Sequence, residues 1–323
     1  MGDYGRESTD FVAFWMIAAM GVLAALLPSR VWAGGSRTFT NADLDAYVTQ
    51  SERDAHSDRT PDGLSKHCSK YDPRRCVLKR ASGGIVELFF EQSVSFPVTV
   101  TIDATLTNMR SDVPLPLTVV VSDTRRVRLL SFARIDPSGP HDYHYTFWTR
   151  YGSRDARHDD AYLYRLPYAD GASWLVSQGF NGSFSHQDNG GFKIDFAMPE
   201  GTPIHTARDG MVVGVQMSGI LRSDDRQYIA EGNAVYVQHD DGTVATYVHF
   251  AFGSIFAQEG RRVMRGDVLG LSGNTGFSSG PHLHFEVGYP TDGKTWQTVP
   301  VRFSSGAGVV ASPLKGERYV AVP

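Results

Sequence analysis

The stretch Gly280-Pro281-His282-Leu283-His284-Phe285-Glu286-Val287 decides how this chain is read. Two histidines sit one residue apart in a run that otherwise reads as a buried strand. Residues i and i+2 of a strand point to the same face, so His282 and His284 project side by side into one space. Imidazole is the commonest protein ligand for zinc, and it is also a general acid or base near neutral pH. An isolated His-x-His is as readily a chance pair of half-buried histidines. The rest of the chain has to decide between the two.

Working outward, the C-terminal half offers further ligands. Asp195 lies inside the apolar run Phe192-Lys193-Ile194-Asp195-Phe196-Ala197-Met198. A carboxylate there must be paired, protonated or metal-bound, because burying the bare charge is costly. His186 precedes it on a polar turn, and His249 ends the strand-like run Val244-Ala245-Thr246-Tyr247-Val248-His249-Phe250. Catalytic zinc takes three protein ligands and keeps one position open. His186, Asp195 and His284 meet that count and leave His249 and His282 to act on water and substrate.

These residues resemble the lysostaphin-type (LytM-like) zinc metallopeptidases, which cut peptide bonds in bacterial peptidoglycan. The resemblance covers roughly residues 176–303. It runs through Ser185-His186, Ile194-Asp195-Phe196-Ala197-Met198-Pro199-Glu200-Gly201-Thr202-Pro203 and Ala207-Arg208-Asp209-Gly210. It continues through Tyr247-Val248-His249, Gly266-Asp267-Val268-Leu269-Gly270 and Ser272-Gly273-Asn274-Thr275-Gly276, and closes on the His-x-His segment. Several ordered motifs in one chain are far more specific than any one alone. The resemblance implies that His186, Asp195 and His284 hold Zn2+, with His282 and His249 flanking a metal-activated water. His282 is then the expected base and His249 the transition-state partner.

One departure matters. Many members of this family place the first ligand four residues before the aspartate, where this chain has Gly191. His186 must instead be brought back by a turn, and Asp188-Asn189-Gly190-Gly191 suits one, since Gly and Asn tolerate positive φ. The activity implied is an exported zinc-dependent endopeptidase acting on peptidoglycan peptide crosslinks. The alternatives are an inactive cell-wall-binding or hydrolase-activating module of the same fold, or a protease of exported proteins. Inactive relatives lack one or more of the five residues; this chain has all five.

Other histidines carry less. His205 suits a surface or packing role, and His239, before the Asp240-Asp241-Gly242 turn, is expected to be solvated. His158-Asp159-Asp160 reads as a charged turn. The Ser272–Gly280 string reads as a loop beside the groove whose backbone can meet an extended peptide, or as an ordinary connection.

Length and charge set the frame. At 323 residues and a formal net charge of -4, two domains fit, and the basic surface of a nucleic-acid binder is missing. Residues 11–27 form an uncharged apolar run followed by Val31-Trp32-Ala33. Residues 1–33 therefore read as a signal peptide cut after Ala33, or as an uncleaved membrane anchor. Both send the folded part to the periplasm or cell envelope. Cys68 and Cys76 agree, since they can close a short loop in an oxidising compartment.

The expected organisation is mostly β. Residues 34–84 read as a polar, irregular segment pinned by the cysteines. Residues 85–151 read as a small antiparallel β-sandwich-like domain, with Val98, Val100 and Ile102 alternating against Thr99 and Thr101. A connector at 152–173 leads to an antiparallel catalytic sheet at 174–303. Residues 304–323 form a tail or a returning strand.

Overall fold

The computed structural model describes residues 58–69 and 72–323. The expected export segment with its cleavage site, and residues 34–57, lie outside the described residues. Among those described, no helix is long and apolar enough to cross a membrane. Among the described residues every regular element is a strand except a short 3-10 turn at Arg226–Glu231.

The front region is a sandwich of two antiparallel sheets. One runs in the spatial order Asp58–Arg59, Ser65–Cys68, Arg75–Ser82, Ile85–Gln92, Val127–Arg134, Met109–Ser111. The other places Val98–Thr107 between Leu117–Val121 and Asp142–Tyr151. Val77, Leu88, Phe90, Val98, Val100, Ile102, Leu130 and Phe132 fill the space between them. The alternation expected at 98–102 is only half realised. Thr99 and Thr101 are also buried, because their hydroxyls face Gly152 O, Thr118 and Gly293 N across a second interface.

The segment expected to be irregular holds two strands. Ser65–Cys68 and Arg75–Ser82 pair antiparallel, and the second continues the sandwich sheet through Ile85–Gln92. Cys68 and Cys76 face each other in this register and form a disulfide. Charged residues such as Arg75, Lys79 and Arg80 hide the strand pattern from composition, yet Arg75 to Leu78 are all buried.

The C-terminal half is built on one antiparallel sheet. Its order is Arg262–Val263, Gly210–Gln216, Ala234–Gln238, Val244–Val248, His282–Pro290, Lys193–Ala197, Ser173–Gln178, Arg318–Val320. Leu283, Phe285 and Val287 are fully buried on the core face, beside Ile194, Phe196, Val235, Val237 and Tyr247. Burying each of those three large side chains is worth about 1.5–3 kcal/mol. That face fixes the register, because a one-residue slip would turn the histidines inward and the apolar set outward. The last strand pairs Tyr319 with Trp174, so the end of the chain returns to this sheet.

The two regions pack together. Tyr151 of the front region lies against Gly214, where a Cβ would come within 2.5 Å of its ring. Its ring centroid is 5.0 Å from that of Tyr236. Gly214, Tyr236, Thr246 and Glu286 are successive cross-strand partners, two residues along from His284. The sandwich therefore rests on one end of the sheet face that carries the histidines.

Candidate metal centre

Three neighbouring strands deliver the site. Asp195 lies directly opposite His284, and Ala197 opposite His282. The cross-strand register thus places a carboxylate and two imidazoles on one patch of the polar face. His186 arrives from the loop between Gln178 and Lys193. In that loop Asn181, Asn189, Gly190 and Gly191 all adopt positive φ, which folds the chain back.

Gly191 has no room for a ligand. A Cβ there would sit 2.1 Å from Asn181 Oδ1 and 2.9 Å from His186 O. The loop is clamped by Gln178, whose Oε1 accepts from Phe184 N at 3.0 Å and Ser185 N at 3.2 Å. Its Nε2 donates to Asp195 Oδ2 at 3.0 Å. One side chain thereby ties the His186 turn to the aspartate.

The donor atoms of His186, Asp195 and His284 all lie within 4.8 Å of one another. His186 is fully buried, and its Nδ1 donates to Gly179 O at 3.0 Å. That bond fixes the tautomer and leaves a lone pair on Nε2. Nε2 has no hydrogen-bond partner, although it approaches Asp195 Oδ2 to 3.2 Å. A nitrogen lone pair facing a carboxylate oxygen is repulsive unless a cation or proton lies between them. His284 places Nδ1 2.9 Å from Asp195 Oδ1 and Nε2 3.3 Å from Glu286 Oε2. With Nε2–H directed to Glu286, Nδ1 faces the centre. This is the carboxylate–histidine arrangement that orients metal-ligating imidazoles. Two imidazoles and a carboxylate converging in this way fit Zn2+.

The electrostatics are consistent with a cation. Burial would raise the Asp195 carboxyl, but the imidazoles of His186 and His284 beside it hold it well below its usual range. Burial would depress His284, yet Asp195 and Glu286 outweigh it and push it up to about 9. Glu286 is itself held low, with His284 overcoming burial.

His249 and His282 stand beside this trio. Their ring centroids are 4.4 Å apart, and His249 lies 6.2 Å from His284. His249 Nδ1 donates to Thr275 O at 2.6 Å and His282 Nδ1 to Gly280 O at 2.7 Å. Both rings are thereby fixed with Nε2 as the acceptor. His282 Nε2 lies 3.7 Å from Asp195 Oδ1. Burial, with His282 and His284, pushes His249 down to about 3. Burial also lowers His282, but Asp195 acts in the opposite direction there.

His249 has φ of 73°, a left-handed conformation that costs a non-glycine residue about 1 kcal/mol. Buried Asn233 holds the surroundings. It bonds Gly219 O and Phe250 O through Nδ2, and receives Gly219 N on Oδ1. Thr275 Oγ1 completes the brace, accepting from Asn233 N and donating to Phe250 O. The glycine-rich string is therefore ordered here. Gly276–Phe277 pairs in parallel with Arg222–Ser223, and Phe277 stacks on exposed Phe184 at 5.7 Å. Phe184 belongs to the loop that carries His186, and Phe277 to the segment that follows Thr275.

Residues 191–297 match Peptidase family M23. This segment is an M23 peptidase domain. The family match begins after His186, so the structure rather than the match brings that residue to the site. Over 127 residues the chain is 36% identical to the peptidoglycan DD-endopeptidase ShyA of Vibrio cholerae, covering 37% of this chain and 26% of that protein. It is 38% identical over 94 residues to the DD-carboxypeptidase/endopeptidase Mpg of Neisseria meningitidis, covering 29% and 19%. The chain thus spans about a quarter or less of the length of these relatives. The catalytic domain of lysostaphin from Staphylococcus simulans is similar at 27% identity, with 41% of this chain and 88% of that one covered and a TM-score of 0.27.

All five residues singled out from the sequence converge in the M23 domain and its preceding loop. Gln178, Glu286 and Asn233 were not singled out. Glu286 carries a usable signal, since it lies two residues from His284 on the same strand face. His239 corrects an expectation. It is buried rather than solvated, with Nδ1 on Asp209 O at 2.9 Å, and burial pushes it down to about 4. His205 is half-buried and bonded to Gly266 O, away from the metal centre.

Proposed function

We propose that this chain is a zinc endopeptidase of the cell envelope that hydrolyses peptide bonds in peptidoglycan crosslinks. The observation that carries this reading is the orphaned Nε2 of buried His186, facing Asp195 and His284. The DD-endopeptidase names of the relatives support the substrate class. The disulfide supports an oxidising compartment.

His186, Asp195 and His284 would hold the zinc, with Gln178 and Glu286 orienting them. When bound, zinc supplies Lewis acidity to water and to the scissile carbonyl. His282 accepts the water proton on Nε2. It is the better base of the pair because neighbouring Asp195 stabilises the imidazolium that forms. His249 stays neutral and deeply buried. Braced by Thr275 O, its ring presents Nε2 as an acceptor beside His282 and is positioned to orient the water, while the proton taken up by His282 passes on to the leaving amine. Phe184 and Phe277 offer an apolar rim for the peptide.

The test pairs metal analysis of the purified full chain with digestion of purified peptidoglycan. About one zinc per chain, and peptide products that vanish on chelation and return with zinc, are expected. Full activity after complete zinc removal would refute the mechanism. A chain that binds wall without cutting it would support the inactive module instead.

A further inference from the structure

A second polar site lies away from the metal centre and shares no residue with it. A cavity of about 410 Å³ opens between the Leu163–Arg165 strand, the Pro203–His205 strand and the turn at 265–266. Arg165, Arg265, His205 and Asp170 line it, with Pro323 at its rim.

Its arginines are under-used. Arg165 is only 4% exposed; Nη2 pairs with Asp170 Oδ1 at 2.6 Å, while Nη1 is buried without a hydrogen-bond partner. Arg265 donates Nη2 to Ser304 Oγ at 3.1 Å, and its Nε is likewise buried and unpartnered. Two guanidiniums therefore border one cavity, each with an N–H that meets no acceptor. The single carboxylate paired with them, Asp170, has a side chain that is half exposed. Pro323 forms no ion pair with either arginine among the described residues. His205 spends Nδ1 on Gly266 O at 2.7 Å, which leaves Nε2 as its remaining polar atom.

Buried donors without acceptors are rare and costly in native proteins. An anion in the cavity would set its negative charge beside two guanidiniums that share one carboxylate. The planar guanidinium fork matches carboxylate and phosphate oxygens. The volume exceeds what one water needs and suits a small organic anion. We infer that this cavity is a binding site for a compact oxyanion, a carboxylate or phosphate group, gripped by Arg165 and Arg265. The inference does not rest on the peptidase activity.

The test is calorimetric titration of the full chain in chloride buffer, with inorganic phosphate and, separately, with acetate. Binding is expected in the wild type and, unchanged, in His284→Ala, which separates this site from the metal centre. Arg265→Gln should weaken binding at least about tenfold, the worth of one charge-assisted hydrogen bond. Asp170→Asn should tighten it severalfold by releasing Arg165 from its competitor. A preference for phosphate or for acetate identifies the oxyanion, and either supports the site. Neither probe binding, loss of binding in His284→Ala, or equal affinity in folded Arg265→Gln would overturn it. Should Arg265→Gln fail to fold, Asp170→Asn decides alone, and unchanged or weaker binding there refutes the site.

Discussion

Two buried aspartates show how differently the same side chain is used. Asp72, at the junction of sandwich and catalytic sheet, is surrounded by fixed cations. It accepts Arg74 Nε at 2.7 Å, Arg74 Nη2 at 2.9 Å and Arg75 Nε at 2.9 Å, with Tyr151 Oη at 3.3 Å. Arg74 also reaches Glu259 of the catalytic half at 2.6 Å. Burial would raise the Asp72 carboxyl, but the two arginines hold it below its ordinary value. Asp195 is also buried and held low, yet its neighbours are imidazoles, one of which turns an unsatisfied lone pair toward it. In the first cluster every neighbour of Asp72 donates to it, and the cluster joins two regions. The second keeps an unpartnered imidazole nitrogen turned toward a carboxylate, the kind of unresolved pairing that marks a site built for chemistry.

That contrast can be broken in several places. His284→Ala should have the largest effect, removing zinc and reducing peptidoglycan cleavage to background; metal analysis and product release measure both. His249→Ala should keep its zinc while turnover falls by roughly 10²–10⁴, the range that acid–base catalysis through the His249–His282 pair supplies. Asp72→Asn should do the opposite, lowering unfolding free energy by about 3 kcal/mol, as breaking a buried ion cluster does, with zinc stoichiometry unchanged. Denaturant titration checks this, and loss of zinc in the folded variant would erase the distinction. Glu286→Gln should weaken zinc binding by about 10–100-fold, the usual cost of disturbing an outer-shell carboxylate.

The smallest effect is in pH. Without metal, His284 is raised to about 9, so it is protonated at neutral pH and must release that proton to ligate. Apparent zinc affinity should therefore rise by about tenfold per pH unit up to about pH 9 and then level off. Calorimetry in buffers of different ionisation enthalpy should show about one proton released at pH 7. The same shift makes the metal-free fold lose stability as pH rises through about 9, having it in full below about 6.5.

Much of the site was legible because strand periodicity is a strong geometric rule. His-x-His on one face, and an aspartate inside an apolar run, need no tertiary information to be noticed. The sandwich was legible from short strands set apart by turns. Less visible were residues whose role depends on distant backbone. Gln178 matters because its amide meets a loop and a carboxylate at once, and nothing in its neighbourhood announces that. Asn233 acts by bonding backbone groups at 219 and 250. His239 looked solvated because a polar turn follows it, yet it packs edge-on to Tyr164 at 5.7 Å. The strands at 65–82 were hidden because Arg75 is buried by its partner Asp72 and by Tyr151, not by an apolar character of its own.

Gly191 has a consequence for how such sites change over time. A histidine placed there would collide with Asn181 and with the carbonyl of the present ligand, on a backbone already wound the wrong way for a bulky residue. Moving the first donor from one spacing to the other is thus not a single-codon step. The 179–192 hairpin has to be exchanged as a cassette, so descendants of each form are expected to inherit that whole loop together.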